Sequence, residues 1–204
     1  MRGAFTSCTK AEAKAKLGLP AEKPLVLSVW GSLGARHMNG IMTELIRLAA
    51  PQPGFTLIHS AGKGGYDGVA EALKDVDLAA AGIDVRPYIY DMPLVMAAAD
   101  LVLCRAGAST LAELTLLGKP AILVPSPNVT NNHQEKNARV LEHAGGAKVL
   151  LEGEFTAKSL LEDVRALLSD AGTLRAMAQN MRSAGVSDAT ERITQMVLDM
   201  AKNQ

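Results

Sequence analysis

Aromatic residues are scarce: one Trp, three Tyr and three Phe make up 3% of the 204 residues. That removes the stacking platforms on which single-stranded nucleic acids are held. Charge of one sign is missing too, because 21 basic residues cancel 21 acidic ones. No electrostatic footprint for nucleic acid or an acidic membrane surface remains. Cysteine is limited to Cys8 and Cys104. They lie far apart, with no zinc-ligand spacing and no disulfide framework, which points to reduced thiols and a cytoplasmic setting. No apolar run is long enough to span a bilayer, and MRGAFTSCTK lacks the apolar stretch of a secretory signal. Neither a P-loop nor a Gly-x-Gly-x-x-Gly fingerprint follows the first strand-like run, which disfavours a plain NAD-binding domain. No Ser/His/Asp or Cys/His arrangement is defensible from the spacing. His133 has no His or Cys at ligand spacing beside it, so no metal site is expected.

What is present is alternation. Short apolar runs at 24–30, 55–60, 83–89, 101–106, 120–126 and 147–152 read as strands, separated by stretches of helical spacing. Asp91 is placed to cap a short helix whose first turn tolerates Pro93. From Thr156 onward the strands stop and three helical segments follow, with Thr156 and Asp188 as expected caps. Successive β/α units require helical crossovers and a parallel sheet covered on both faces. The expected fold is therefore α/β, a doubly wound, mostly parallel, six-stranded Rossmann-like sheet with C-terminal helices. One domain over 1–204 is expected, with a linker and first helix in 1–23, a β/α core over 24–153 and helices over 154–204. Ile193, Met196, Val197 and Met200 form a late apolar stripe, readable either as core or as an exposed patch favouring self-association.

Ligands of such sheets lie beyond the carboxyl ends of the strands. Two loops there, Gly31-Ser32-Leu33-Gly34 and Gly62-Lys63-Gly64-Gly65, are glycine-rich and open helices, which suits a phosphate; glycine also serves ordinary tight turns. Arg105-Ala106-Gly107-Ala108-Ser109-Thr110 hands a strand to a helix, with Glu113 one turn inside. The spacing from Ser109 or Thr110 to Glu113 fits a capping box, and a carboxylate there equally fits a vicinal diol such as a ribose. Asn131 to Asn137 open a later helix with amide and imidazole groups suited to polyhydroxylated ligands, or simply to water. His59 and His143 read as structural, and His37 stays open between the two roles.

GSLGARHMN (31–39), YIYDMPLVMAAADLVLCRAGASTLAE (88–113), GKPAILVPSP (118–127) and NNHQEKNARVLEHAGGAKVL (131–150) occur in this order. Together with SDATERI (187–193), they resemble the C-terminal domain of glycosyltransferase family 28, the peptidoglycan N-acetylglucosaminyltransferases that convert lipid I to lipid II. The resemblance covers nearly the whole chain. It implies the donor half of a two-domain GT-B enzyme, binding UDP-N-acetylglucosamine as donor substrate, with no cofactor and no metal. By position, Arg2 and Ser32 would approach the diphosphate, with Gly34 in the same loop. The backbone of Ile89 would read uracil, with Met92 nearby. Gly107, Ala108, Ser109 and Thr110, preceded by Arg105, would frame the nucleotide and diphosphate, and Glu113 would bind the ribose. His133 and Gln134 would hold the sugar, with Asn137 on the same helix. His133 stands where the family often has Gln, and Ala61 where it usually has Thr. No catalytic residue is expected in this chain: the general base and the acceptor site would belong to an N-terminal domain or a separate chain. Only through that partner would the chain meet a membrane lipid, at the inner face of the cell membrane. Rival readings are a related glycosyltransferase, a nucleotide-sugar epimerase, or a non-catalytic UDP-sugar-binding subunit.

Overall fold

The computed structural model describes residues 8–31, 35–185 and 189–202. The chain runs α1 (Lys10–Lys16), β1 (Leu25–Val29), α2 (Arg36–Ala49), β2 (Thr56–Ser60), α3 (Tyr66–Ala72), α4 (Leu78–Ala81) and β3 (Ile83–Arg86). It continues with α5 (Met92–Ala98), β4 (Leu101–Cys104), α6 (Ala108–Leu117), β5 (Ala121–Leu123), a 3-10 turn (Thr130–Asn132), α7 (His133–His143) and β6 (Ala147–Val149). Three helices close it, α8 (Ala157–Ser169), α9 (Ala171–Ser183) and α10 (Ala189–Lys202). The six strands pair in the order β3-β2-β1-β4-β5-β6, and every ladder is parallel. The order reverses between β1 and β4, which opens a crevice at their carboxyl ends.

Alternation along each strand divides the core in two. Leu25, Leu27, Ile58, Val102, Cys104 and Leu123 face one layer, packed against Ala13 of α1, Met96 of α5, Leu114 of α6 and Met181 of α9. Val26, Leu57, Leu101, Leu103 and Ile122 face the other, against Met38, Met42 and Ile46 of α2 and Leu160 and Val164 of α8. Each fully buried Leu, Ile, Val or Met among these contributes roughly 1.5–3 kcal/mol. Asp100 ties α1 to the sheet, pairing with Lys10 (2.7 Å) and Lys14 (3.1 Å) and accepting the Leu25 N–H (2.9 Å).

Several boundaries differ from the sequence reading. The third strand stops at Arg86 because Pro87, without an N–H, cannot extend a ladder. A short helix, α4, forms where none was expected, capped by Asp77, whose carboxylate accepts the Ala80 N–H at 3.0 Å. Asp91 occupies the N-cap of α5 but makes no capping bond, and its carboxylate lies 3.4 Å from the Arg86 guanidinium instead. Thr156 caps α8 through a reciprocal box with Ser159. Asp188 lies outside the described residues, and so does the side chain of Ile193. The rest of the late stripe, Met196, Val197 and Met200, is exposed.

Candidate functional site

A cleft of about 980 Å³ lies over the carboxyl ends of the strands, at the crevice between β1 and β4. Ile89, Met92, Arg105, Gly107, Thr110, Glu113 and Gln134, all expected site residues, line it. Ala108 and Ser109 form the exposed first turn of α6 directly beside it. His133 and Asn137 are not on its wall; the His133 ring, through Nδ1, meets the Thr130 carbonyl at 2.9 Å. Arg2, Ser32 and Gly34 lie outside the described residues. The strand-end loops 88–92 and 125–128 also reach it through Tyr88, Ser126 and Asn128, whereas the reading missed Trp30, Arg36, Met96 and Glu152, which line the cleft, as does His37. The available signal was position: Trp30 and Glu152 sit within a few residues of a strand's carboxyl end.

The helices around the cleft share one property. α1, α4, α8 and α9 have side-chain caps from Thr9, Asp77, Thr156 and Asp170. α2, α3, α5, α6 and α7 have none, and all of these but α3 carry cleft-lining residues, Arg36, Met92, Thr110 and Gln134. A helix start leaves its first backbone N–H groups unpaired, and an uncapped start offers them, with the positive dipole end, to an anion. Basic residues oppose the dipole at such a start, yet Arg36 and His37 open α2 at the cleft.

The cap of α6 removes one of the two readings of Glu113. Its N-cap is Gly107, with no side-chain cap bond, so Ser109 and Thr110 lie inside the helix and Glu113 is not half of a capping box. Glu113 lines the cleft with no hydrogen-bond or ion-pair partner among the described residues. Burial raises its carboxyl above the ordinary range. Burial also pushes the Cys104 thiol up to about 12, with the Glu113 charge as the smaller cause. An added Cβ at Gly107 would meet nothing within 4 Å, so the fold does not demand glycine there, although a ligand lying close to the backbone would.

Just before α7, Asn131 and Asn132 adopt left-handed conformations, with φ of 55° and 52°. The bend they impose starts α7 where the Gln134 side chain accepts the Ser126 N–H at 3.0 Å. The second glycine loop does not line the cleft. Gly65 makes room there for Asn39, whose amide donates to the Ala61 carbonyl at 2.8 Å; a Cβ at 65 would fall 2.2 Å from that amide nitrogen. The sequence Asp75-Val76-Asp77 has a spacing used elsewhere for metal binding. Here Asp75 pairs with Arg47 at 2.6 Å and Asp77 caps α4. Among the described residues no group of three or more His, Cys, Asp or Glu is arranged to hold a metal ion.

Residues 25–193 match the glycosyltransferase family 28 C-terminal domain. The UDP-N-acetylglucosamine--N-acetylmuramyl-(pentapeptide) pyrophosphoryl-undecaprenol N-acetylglucosamine transferase of Acetivibrio thermocellus is 44% identical over 204 residues, covering 100% of this chain and 55% of its own. The chain therefore spans about half the length of this relative. In structure it is similar to MurG of Acinetobacter baumannii, at a TM-score of 0.79 and 27% identity, over 96% of this chain and 55% of that one. Anabaena Alr3699/HepE in complex with UDP-glucose shares the fold, at a TM-score of 0.70 and 17% identity, covering 100% of this chain and 55% of that one.

Proposed function

The chain belongs to glycosyltransferase family 28 through its C-terminal domain, and from that membership we propose that the cleft holds UDP-N-acetylglucosamine as the donor for transfer to lipid I. The observation that carries this reading is α6 itself. Its uncapped first turn supplies free N–H groups for a diphosphate, and Glu113, about 5–8 Å further along the axis, supplies a carboxylate with no partner among the described residues for a ribose diol. Ile89 and Met92 line the end suited to the base, and Gln134 the side suited to the sugar. Transfer with inversion displaces UDP from the anomeric carbon, so negative charge develops on the leaving diphosphate. Helix N-termini and Arg105 stabilise charge at that place without reorganising, and no step is assigned to a metal. The acceptor hydroxyl must lose a proton, and no residue of the cleft is assigned that task. An acceptor-binding region, of the kind that fills the remaining length of the relatives, would supply it and carry the association with the membrane's cytoplasmic face. No described helix is long and apolar enough to cross a membrane.

Calorimetric titration of the 204-residue chain tests the reading. UDP-N-acetylglucosamine and UDP bind, NAD does not, and Glu113→Ala weakens UDP about tenfold or more, the expected loss of charge-assisted hydrogen bonds. Equal UDP affinity in the variant removes the ribose role from Glu113. Turnover of a lipid I analogue by this chain alone overturns the assignment of the base to a partner region.

A further inference from the structure

Beneath the cleft, a row of polar side chains crosses the ends of five adjacent strands. His59 of β2 meets Ser28 of β1, Nδ1 to Oγ, at 3.0 Å. The Trp30 indole, just past β1, donates to the same Oγ at 2.9 Å. Arg105, just past β4, places its guanidinium carbon 6.0 Å from the centre of the Trp30 ring. Its Nη1 donates to the carbonyls of Val124 and Pro125, past β5, at 3.1 Å each, and forms an ion pair with Glu152, past β6. Trp30, Arg105 and Glu152 all line the cleft.

The pairing within this row is lopsided. All three contacts of the Arg105 guanidinium use Nη1, and Nε and Nη2 have no partner among the described residues. Among the described residues Glu152 is held by Arg105 alone: its side chain is 15% exposed, and Oε2 is buried without an aligned hydrogen bond. A mostly buried carboxylate is tolerated only against its partner charge. On charge alone, a carboxylate inside an anion-binding cleft would repel the ligand.

The geometry points to Glu152 as a positioning residue for donor binding. It anchors Arg105 by one nitrogen, over Trp30 and against the carbonyls just past β5, and leaves the rest of the guanidinium fork for the ligand's diphosphate. This rests on the reading of the cleft as a nucleotide-sugar site. Glu152 acts on the ligand only through Arg105.

The sign of one substitution separates positioning from simple charge repulsion. UDP is titrated into the full chain, the Glu152→Gln variant, the Arg105→Ala variant and the double variant. Positioning predicts that Glu152→Gln weakens UDP about tenfold although it adds net positive charge. In the Arg105→Ala background the same change has less than about a twofold effect, because its route to the ligand is gone. Emission from Trp30, the sole tryptophan, shifts in Glu152→Gln as the guanidinium leaves the ring. Tighter or unchanged UDP binding in Glu152→Gln, or equal losses in both backgrounds, overturns the proposal. If Glu152→Gln does not fold, Arg105→Lys reads the same device. An ammonium cannot hold Glu152 and keep a planar fork free, so about tenfold weaker UDP binding supports the proposal and unchanged binding overturns it. Failure of the unsubstituted chain to bind UDP removes the donor-site reading itself.

Discussion

A half-buried carboxylate without a partner costs free energy, and Glu113 has none among the described residues. Burial raises its pKa in the folded chain. The folded state therefore holds the proton more tightly than the unfolded one, and the contribution to stability is present in acid and lost as pH rises through the raised pKa. At neutral pH the ionised group works against the fold. Glu113→Gln is thus expected to raise the melting temperature of the ligand-free protein at pH 7 while shrinking the further rise that UDP produces. Thermal melts with and without UDP measure both, and a variant melting lower than the parent at pH 7 rejects the account. Little of this was legible in the residues alone. The spacing of Ser109, Thr110 and Glu113 suits a capping box as well as a diol site, and only the cap at Gly107 excludes the capping box. Gln134 was found by its place in the family pattern. Glu152 and Trp30 were missed because a Glu or a Trp after a strand has no motif, and their pairing with Arg105 spans residues distant in sequence.

Helix α6 is bounded by glycine at both ends, for two different reasons. Gly118 ends it with φ of +63°, and a Cβ there would fall 2.4 Å from the Arg182 side chain and 2.9 Å from the Ala178 carbonyl of α9. Left-handed backbone costs an L-residue about 1–2 kcal/mol, and the clash with α9 adds to that. Gly107, at the other end, has φ of −72° and ψ of 142°, open to any residue, and faces empty space. Gly118→Ala is expected to destabilise the chain by about 2 kcal/mol or more while UDP affinity of the folded fraction holds. Gly107→Ala is expected to change stability by less than about 1 kcal/mol and to weaken UDP binding. Urea unfolding together with titration distinguishes the two, and equal stability losses reject the contrast. Element types were legible from periodicity: all six strands and the three closing helices lie where apolar spacing put them. Element ends were not, because they depend on local competition. Pro87 shortens β3, Arg86 draws Asp91 from its capping role, and two left-handed asparagines delay the start of α7.

For the whole molecule, strand order decides where chemistry is possible, since only the reversal between β1 and β4 opens a crevice. That order was foreseeable in kind, because β/α repeats allow few arrangements, but the side chains beneath the crevice were not. His59 reads correctly as structural from its strand, yet nothing in the sequence shows that Ser28 and Trp30 meet there. Its burial ties the stability of the entire fold to pH. His59 is fully enclosed, its Nε2 has no partner among the described residues, and burial lowers its pKa to about 4. Between that value and the ordinary 6.5, the unfolded chain takes up a proton that the folded chain refuses. Stability is therefore present in full above pH 6.5 and falls as pH drops through this window, by about 1.4 kcal/mol per pH unit. Carboxylates with lowered pKa, such as Asp100, add their own losses only at lower pH, near and below their ordinary range. The interval from pH 6.5 to 5 thus isolates His59, where about 2 kcal/mol is expected to be lost. Glu113 acts with the opposite sign as pH rises above the carboxylate range, so the pH 7 to 5 comparison is made in the Glu113→Gln background. Urea midpoints at pH 7, 6.5 and 5 should fall in the chain carrying His59 and stay nearly level once His59→Gln is added. A decline that survives His59→Gln would place the proton uptake elsewhere.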